Sequence, residues 1–452
     1  RESALGGNYQ VILADIEELY EQFAYGTPKH PQAIRNFCKY LIDNMPSPPR
    51  YLLLIGKGIT YEYLNQNYNL DQNLVPTMGW SACDLLLTAK LHSTNDLKPE
   101  IPTGRIAALN NSQVLNYLNK VQQTENPEIA EWKKKVIHFA GGINASEQTT
   151  FLGYMNNLKT IIEDTLFGGK VVTTIKKTSS DPVQTTVSDS IKLIINDGVE
   201  LIGYFGHGSP SGFDIAIENV NDYNNVGKYP VFIVNGCYAG NIYLPNNTTV
   251  SENWILSPQK GAVDFIASGS LGLANYLYLY NYNFYKNLSY YTYGKGIGKH
   301  IQKTVEAASL SNDILFQLIT ADISLHGDPA IKLWNGNLPD YKITNADVQF
   351  DTQTYPDSIG VIVNVKNLGK AINDSFFVKI TRIFPNNDTS ILIRNVKAPY
   401  YQTTYKFFVY TDYSRAAGIN KFSVYVVSYF EIAESNETNN STIGTVDLFI
   451  RG

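Results

Sequence analysis

Up to about residue 334, short apolar runs alternate with stretches of helical period. YQVILADI (9–16) and YLLLIGKG (51–58) predict strands, and between them Ala33, Ile34, Phe37 and Leu41 recur at the spacing of a helix face. GRIAAL (104–109) follows a proline-interrupted stretch and precedes a helical segment around Val114–Val121. The pattern then repeats, with strands at KVIHFAGG (135–142) and KVVTTI (170–175) and helices near 148–165 and 187–196. LIGYF (201–205), VFIV (231–234) and GAVDFIAS (261–268) complete it. Near-continuous apolar runs of strand length are the mark of parallel strands covered on both faces, and their alternation with helices predicts βαβ units. The expected α/β region has two lobes, an N-terminal one over 1–132 and a second over 133–338.

Beyond Leu338 the texture changes. GVIVNVKNLG, FFVKITRIF and KFSVYVVSYF alternate in twos between Asn, Asp and Gly turns, with no helical period. Residues 339–452 are therefore expected to form an immunoglobulin-like β-sandwich.

Two of the apolar runs end alike. LIGYF is followed by Gly206, His207 and Gly208, and VFIVN by Gly236 and Cys237, with Gly240 close behind. Carboxyl ends of strands line the crevice of an open α/β sheet, so a base and a nucleophile at two such ends can face one pocket. A free thiol has a pKa near ~8.5 and needs an adjacent imidazole to take its proton at neutral pH. The amides of Gly208 and Cys237 are candidate oxyanion donors, and a helix starting just after Cys237 would favour the thiolate.

Either residue alone has a plainer explanation, because buried cysteines commonly act as small apolar side chains. It is the pairing that points to covalent catalysis. Ser209 lies two residues from His207 on the same strand end and is poorly placed to meet its ring. Cys38 sits in a helical pattern and Cys83 has no histidine neighbour except His92, so both are expected to pack. His138 lies inside an apolar strand, where a core histidine is expected. Asp328 and His326 in HGDPA read as turn chemistry, and His30, His92 and His300 carry no predicted role. No GxSxG elbow, P-loop or GxGxxG is present.

Charge narrows the function further. The 452 residues carry 36 basic and 41 acidic side chains, a net charge of −5 that gives no support to nucleic-acid binding. Three cysteines cannot build a disulfide framework, and no Cys/His cluster has metal-ligand spacing, so no metal or other cofactor is expected. No apolar segment is long enough to span a bilayer. RESALGGNYQ lacks the basic start and apolar core of a signal peptide, which predicts a chain trimmed from a longer precursor. With 32 tyrosines and 17% charged residues, the composition suits a secreted or surface protein.

YLLLIGKG, IPTGRIAA, YFGHGS, the NGC tip, SENWILSPQKGAVDFIASGS and LHGDPAIKLW together resemble the gingipain-type (C25) cysteine peptidases over roughly residues 1–335, and especially their PorU-like group linked to type IX secretion. The resemblance implies a caspase-like fold, His207 as base, Cys237 as nucleophile, and Gly208 and Cys237 amides as the oxyanion hole. It suggests Glu147 and Ser268 as substrate-binding residues, with capping of the following helix as the other reading of Glu147. NVKNLGKA and EIAESNETNN in the tail resemble CARDB-type or other immunoglobulin-like modules. The implied function is a cysteine endopeptidase with a Cys/His dyad that cuts polypeptides, such as C-terminal sorting domains of secreted proteins. Its implied place is the exterior or outer surface of a Bacteroidetes-type bacterium, in association with the outer-membrane secretion machinery. The alternative is a non-catalytic module that keeps the fold.

Overall fold

The computed structural model describes residues 1–66, 70–92, 97–125, 129–164, 166–185, 189–333, 336–428 and 432–449. The chain forms two compact units, one of Arg1–Glu128, Lys135–Ile161 and Val171–Leu333, the other of Ile129–Lys134, Ile162–Lys170 and Trp334–Gly452.

The first unit is built on one eight-stranded sheet. Its strands are β1 (Leu52–Ile55), β2 (Thr103–Ile106), β3 (Lys135–Ala140), β4 (Lys170–Lys176), β5 (Leu201–Phe205), β8 (Val231–Asn235), β9 (Asp264–Ser268) and β10 (Ile323–Gly327); a small hairpin of β6 (Gly208–Ser209) and β7 (Gly212–Phe213) stands off it. The order is β1-β2-β10-β9-β8-β5-β3-β4. Every residue of β5, β8, β9 and β10 is buried, which is why these segments read as unbroken apolar runs. Phe232 of β8 packs its ring 4.9 Å from Phe265 of β9 and 5.0 Å from Trp254 of the helix Val250–Leu256.

Three expectations change here. Residues 9–16 form no strand: Leu13 is 91% exposed, and Asp15 instead caps the helix Ile16–Phe23 by accepting from Glu17 N at 2.9 Å. The sheet is not wholly parallel, because β10 runs antiparallel to β9. Nor do the two predicted lobes stand apart. β10, from the end of the second, inserts beside β2 of the first and pairs with it in parallel, so a single sheet crosses the predicted division at 132/133. The reason is burial: every residue of ISLHG is buried, so the backbone N–H and C=O groups on both its edges cannot reach water and are satisfied only with a strand on each side.

Buried charges tie the β1–β2 side of this sheet. Arg105 of β2 grips Asp84 through Nε and Nη2 at 2.6 and 2.7 Å and donates to the carbonyls of Gly56, Val75 and Pro76. Lys57 Nζ lies 2.6 Å from Glu252, which also closes a capping box with Thr249 at the start of the helix Val250–Leu256.

In the second unit β11 (Tyr341–Lys342), β12 (Val348–Asp351), β13 (Ser358–Asn367) and β16 (Gln402–Tyr410) form one sheet; β14 (Ser375–Ile383), β15 (Thr389–Lys397), β17 (Gly418–Ser428) and β18 (Ser441–Leu448) form the other. Val361, Val363 and Val365 of β13 share a core with Phe376, Val378 and Ile380 of β14, as period-two alternation requires of two sheets packed face to face.

Candidate active site

β5 and β8 are parallel neighbours in register from Leu201↔Val231 to Phe205↔Asn235. His207 and Cys237 each lie two residues beyond the last pair, so the sheet delivers them at the same level. The tips also touch. A Cβ on Gly208 would lie 3.2 Å from both Cys237 O and Gly236 Cα, and one on Gly236 would lie 3.2 Å from Gly208 N and Cα. A side chain at either glycine would press on the backbone of the other tip, so the two glycines keep the tips close. The Cys237 amide donates no hydrogen bond among the described residues.

The His207 side chain is about half exposed, and its Nε2 donates to Glu147 Oε2 at 3.0 Å. Glu147 stands in the first turn of the helix Ala145–Ile162, where the same oxygen accepts Ile143 N at 2.9 Å. Burial pushes its carboxyl up, but the His207 ring and the Ile143 amide outweigh that and hold it below the usual carboxylate range. One turn on, Phe151 lies with its ring 6.3 Å from the imidazole, so the i and i+4 positions of this helix both meet His207. The helix start is capped by Asn144, whose Oδ1 accepts Glu147 N at 3.0 Å, and Glu147 itself pairs with His207, which its sequence position concealed. The bonds from Ile143 N and His207 both fall on Oε2.

Cys237 is partly exposed, while Cys38 and Cys83 are buried and burial raises both thiols to about 12. Gly272 N donates to Cys237 Sγ at 3.4 Å, and the Tyr238 amide donates to Ser270 O at 2.8 Å, so the loop after β9 wraps the thiol. No helix begins after Cys237: Tyr238 takes a left-handed φ of 57° and the next helix is Val250–Leu256, which removes the expected helix-end stabilisation of the thiolate. Among the described residues no hydrogen bond joins Cys237 to His207, whose Nδ1 remains unbonded. Ser268 is fully buried and shapes the thiol loop from inside, donating to Ser270 O at 3.1 Å and accepting Ser270 N at 3.2 Å; it does not line a groove.

Asp214 was not foreseen. Buried beneath the His207 loop, it receives Gly142 N at 2.7 Å, its own amide donates to His207 O at 3.2 Å, and Lys177 Nζ lies 3.7 Å from its carboxylate. The Tyr204 hydroxyl sits between the Asp214 carboxylate and His207 O. Asp214 therefore ties the His207 turn to the Gly141–Gly142 turn that leads into Glu147. The only signal in the sequence is one acid inside the apolar stretch GFDIAI.

The other histidines divide as their burial dictates. His138, His300 and His326 are fully buried and pushed down to about 3, with partners Tyr285, Thr292 and Ser251. His300 is in this group although its sequence context reads as polar. Asp328 accepts Ala330 N at 2.9 Å in its turn and pairs with Arg1. No group of His, Cys, Asp or Glu suited to a metal occurs among the described residues, and no described helix is long and apolar enough to cross a membrane.

The description "Peptidase family C25" matches residues 1–334. This chain belongs to peptidase family C25. It is a gingipain-type cysteine peptidase sequence, and its first unit has the caspase-like α/β fold of gingipains. The Arg-specific cysteine proteinase gingipain R is similar in fold at 14% identity and a TM-score of 0.53, over 96% of this chain and 94% of that one. A complex of the pro- and mature domains of Porphyromonas gingivalis RgpB gives 14% identity and a TM-score of 0.54, over 96% of each chain. Latent dimeric PorU from Porphyromonas gingivalis is matched at 14% identity and a TM-score of 0.32, over 95% of this chain and 39% of that one. Comparison with curated protein sequences gives no match.

Proposed function

We propose that this C25 chain cleaves polypeptides through Cys237 and His207, with Glu147 as the acid that orients the imidazole. The observation that carries the assignment is the level placement of the two strand tips, with backbones in contact and Glu147 on the far nitrogen of His207. With Nε2 donating to Glu147, Nδ1 is the atom left to take the thiol proton. The Cys237 thiolate attacks the peptide carbonyl carbon, and the amides of Gly208 and Cys237 hold the oxyanion. The C–N bond then breaks as His207 returns its proton to the leaving amine. Water, deprotonated by His207, attacks the thioester, and the C–S bond breaks to release acid and thiol. An amine nucleophile in place of water would give transpeptidation from the same acyl-enzyme.

Glu147→Gln is expected to lower kcat/KM roughly ten- to a hundredfold, a part of the ~10²–10⁴ supplied by a positioned general base, and to leave the P1 profile unchanged. Loss of an Arg or Lys preference in this variant would instead restore Glu147 as a specificity acid. Because Glu147 is held below the usual range, the wild type keeps a carboxylate on His207 until pH falls through that lowered value; a pH profile of the variant should lack this acid limb. Gly208→Ala is expected to reduce kcat/KM and to lower the thermal midpoint slightly, because the added Cβ meets Cys237 O, Gly236 Cα and Gly236 C within 3.3 Å.

The wider assignment is a PorU-like enzyme, secreted or on the outer surface of a Bacteroidetes-type bacterium, which removes C-terminal sorting domains beside the type IX secretion machinery. It is supported by the YFGHGS, NGC and LHGDPAIKLW motifs. The two-sheet second unit is read as an immunoglobulin-like module, supported by its strand alternation. The absence of a Cys237–His207 hydrogen bond among the described residues favours one alternative, an idle site in a binding module. Labelling with iodoacetamide near pH 7 separates them. Labelling of Cys237 that depends on His207 supports the peptidase, and labelling equal to that of Cys38 and Cys83 supports the idle module.

A further inference from the structure

The loop that wraps the thiol continues into a surface that is unusually apolar for water-facing residues. Gly272, whose amide reaches Cys237 Sγ, turns its α-carbon inward: a Cβ there would lie 2.4 Å from Leu277 Cδ1, and Leu277 is buried. Its neighbours Leu271 and Leu273 are 64% and 50% exposed. On one side of this loop Ser270 Oγ meets Ser81 Oγ at 2.8 Å, next to Trp80, which is 80% exposed.

On the other side lies the helix Ile314–Ala321, tied at its C-terminal end to the loop and at its N-terminal end to the helix Ala274–Lys286 that follows the loop. Its N-cap Asp313 accepts the Tyr276 hydroxyl at 2.7 Å, and its C-cap Asp322 accepts Gly269 N through its carbonyl at 2.8 Å. Between these ties the Tyr276 ring stacks on Phe316 at 6.0 Å. Phe316, Ile319 and Thr320 point inward, whereas Ile314, Leu315 and Leu318 are exposed. A surface helix ordinarily turns charged or polar residues outward; here the outward face is one isoleucine and two leucines. Leu310 extends it by a turn. Single exposed leucines need no explanation, but a cluster around one loop marks a binding surface.

We propose that Leu271, Leu273 and the outward face of Ile314–Ala321 form a strip that takes the substrate chain itself, as an extended segment with Leu, Ile, Val or Phe beside the scissile bond. The proposal rests on the peptidase reading and adds its substrate class. Continuity selects this occupant, because Leu271 and Leu273 flank Gly272, whose amide donates to the Cys237 thiol. Leu271 and Leu273 and the segment Ile314–Ala321 carry no carboxylate of their own to meet an arginine or lysine side chain.

The test uses the full chain carrying Cys237→Ala, so that binding is read without turnover. Fluorescent ten-residue peptides with a central Leu-Ile-Val-Phe segment are compared with Arg/Lys-centred counterparts by anisotropy, before and after Leu315→Ser/Leu318→Ser. Both leucines are exposed, so the pair of changes does not breach the core. The apolar peptide should bind at least tenfold more tightly than the basic one and lose about tenfold for each leucine removed, since burying part of a leucine is worth about the factor-of-ten energy. Equal binding of the two peptides, or apolar binding that ignores the serine changes, overturns the strip. So does a dimer that forms through these leucines and excludes peptide, which would make a second copy the occupant. Iodoacetamide labelling of the wild type reports separately on the peptidase reading: an inert Cys237 alongside intact apolar binding refutes the enzyme and keeps the strip.

Discussion

Alanine at His207 is expected to lower kcat/KM by roughly 10²–10⁴-fold, the contribution of a positioned general base, and alanine at Cys237 to abolish acyl-enzyme formation altogether. The two losses should not add, because without a base the thiol is mostly protonated and without a thiol the base has no proton to take. Both side chains are partly solvent-accessible and sit on loops beyond the last strand pairs, so neither change should disturb folding. Trapping of a thioester by mass spectrometry checks the point directly. A Cys237→Ala protein that still turns over peptides would move the nucleophile elsewhere. Ser209 is no rescue candidate, since its hydroxyl is turned to Ser211 and Gly212.

The second large effect is on stability. Arg105→Ala is expected to cost about 3–5 kcal/mol, the usual consequence of leaving one member of a buried pair without its partner, and to lower the thermal midpoint by roughly 5–10 °C. Arg105 is fully buried, so its removal strands the Asp84 carboxylate and three carbonyls that water cannot reach. Asp84→Ala should be similarly damaging. The double variant should lose less than the sum of the two, because no lone charge remains. Calorimetry of the four proteins measures the cycle, and strict additivity would show that the ion pair is not coupled. Because Arg105 pairs in register with His326 of β10, the damage is expected at the junction that joins the two predicted lobes.

The strands that carry the site were legible because each is an unbroken apolar run ending at glycine, and those runs are buried on every residue. The same rule misled at 9–16, where the run Val11, Ile12, Leu13 finds no partner strand and remains exposed. Composition had no means of revealing the helix Ile314–Ala321 as a surface element: ILFQLITA reads as core, and only its position beside the thiol loop turns half of it outward.

By itself the chain's local pattern determined which residues close β5 and β8, and therefore that a histidine and a cysteine stand at strand ends in a C25 sequence. Tertiary structure alone decided what surrounds them. Glu147 is 60 residues from His207, and Ser268 belongs to a strand whose end could equally have faced water or core. Local periodicity records which face of an element is apolar, whereas the partner of a polar side chain is set by strand order, which joins segments far apart in sequence. That is why the strand-end placement of His207 and Cys237 was readable from their flanking glycines, and why the Glu147 carboxylate on His207, the buried Asp214 and the exposed leucines beside the thiol loop were not.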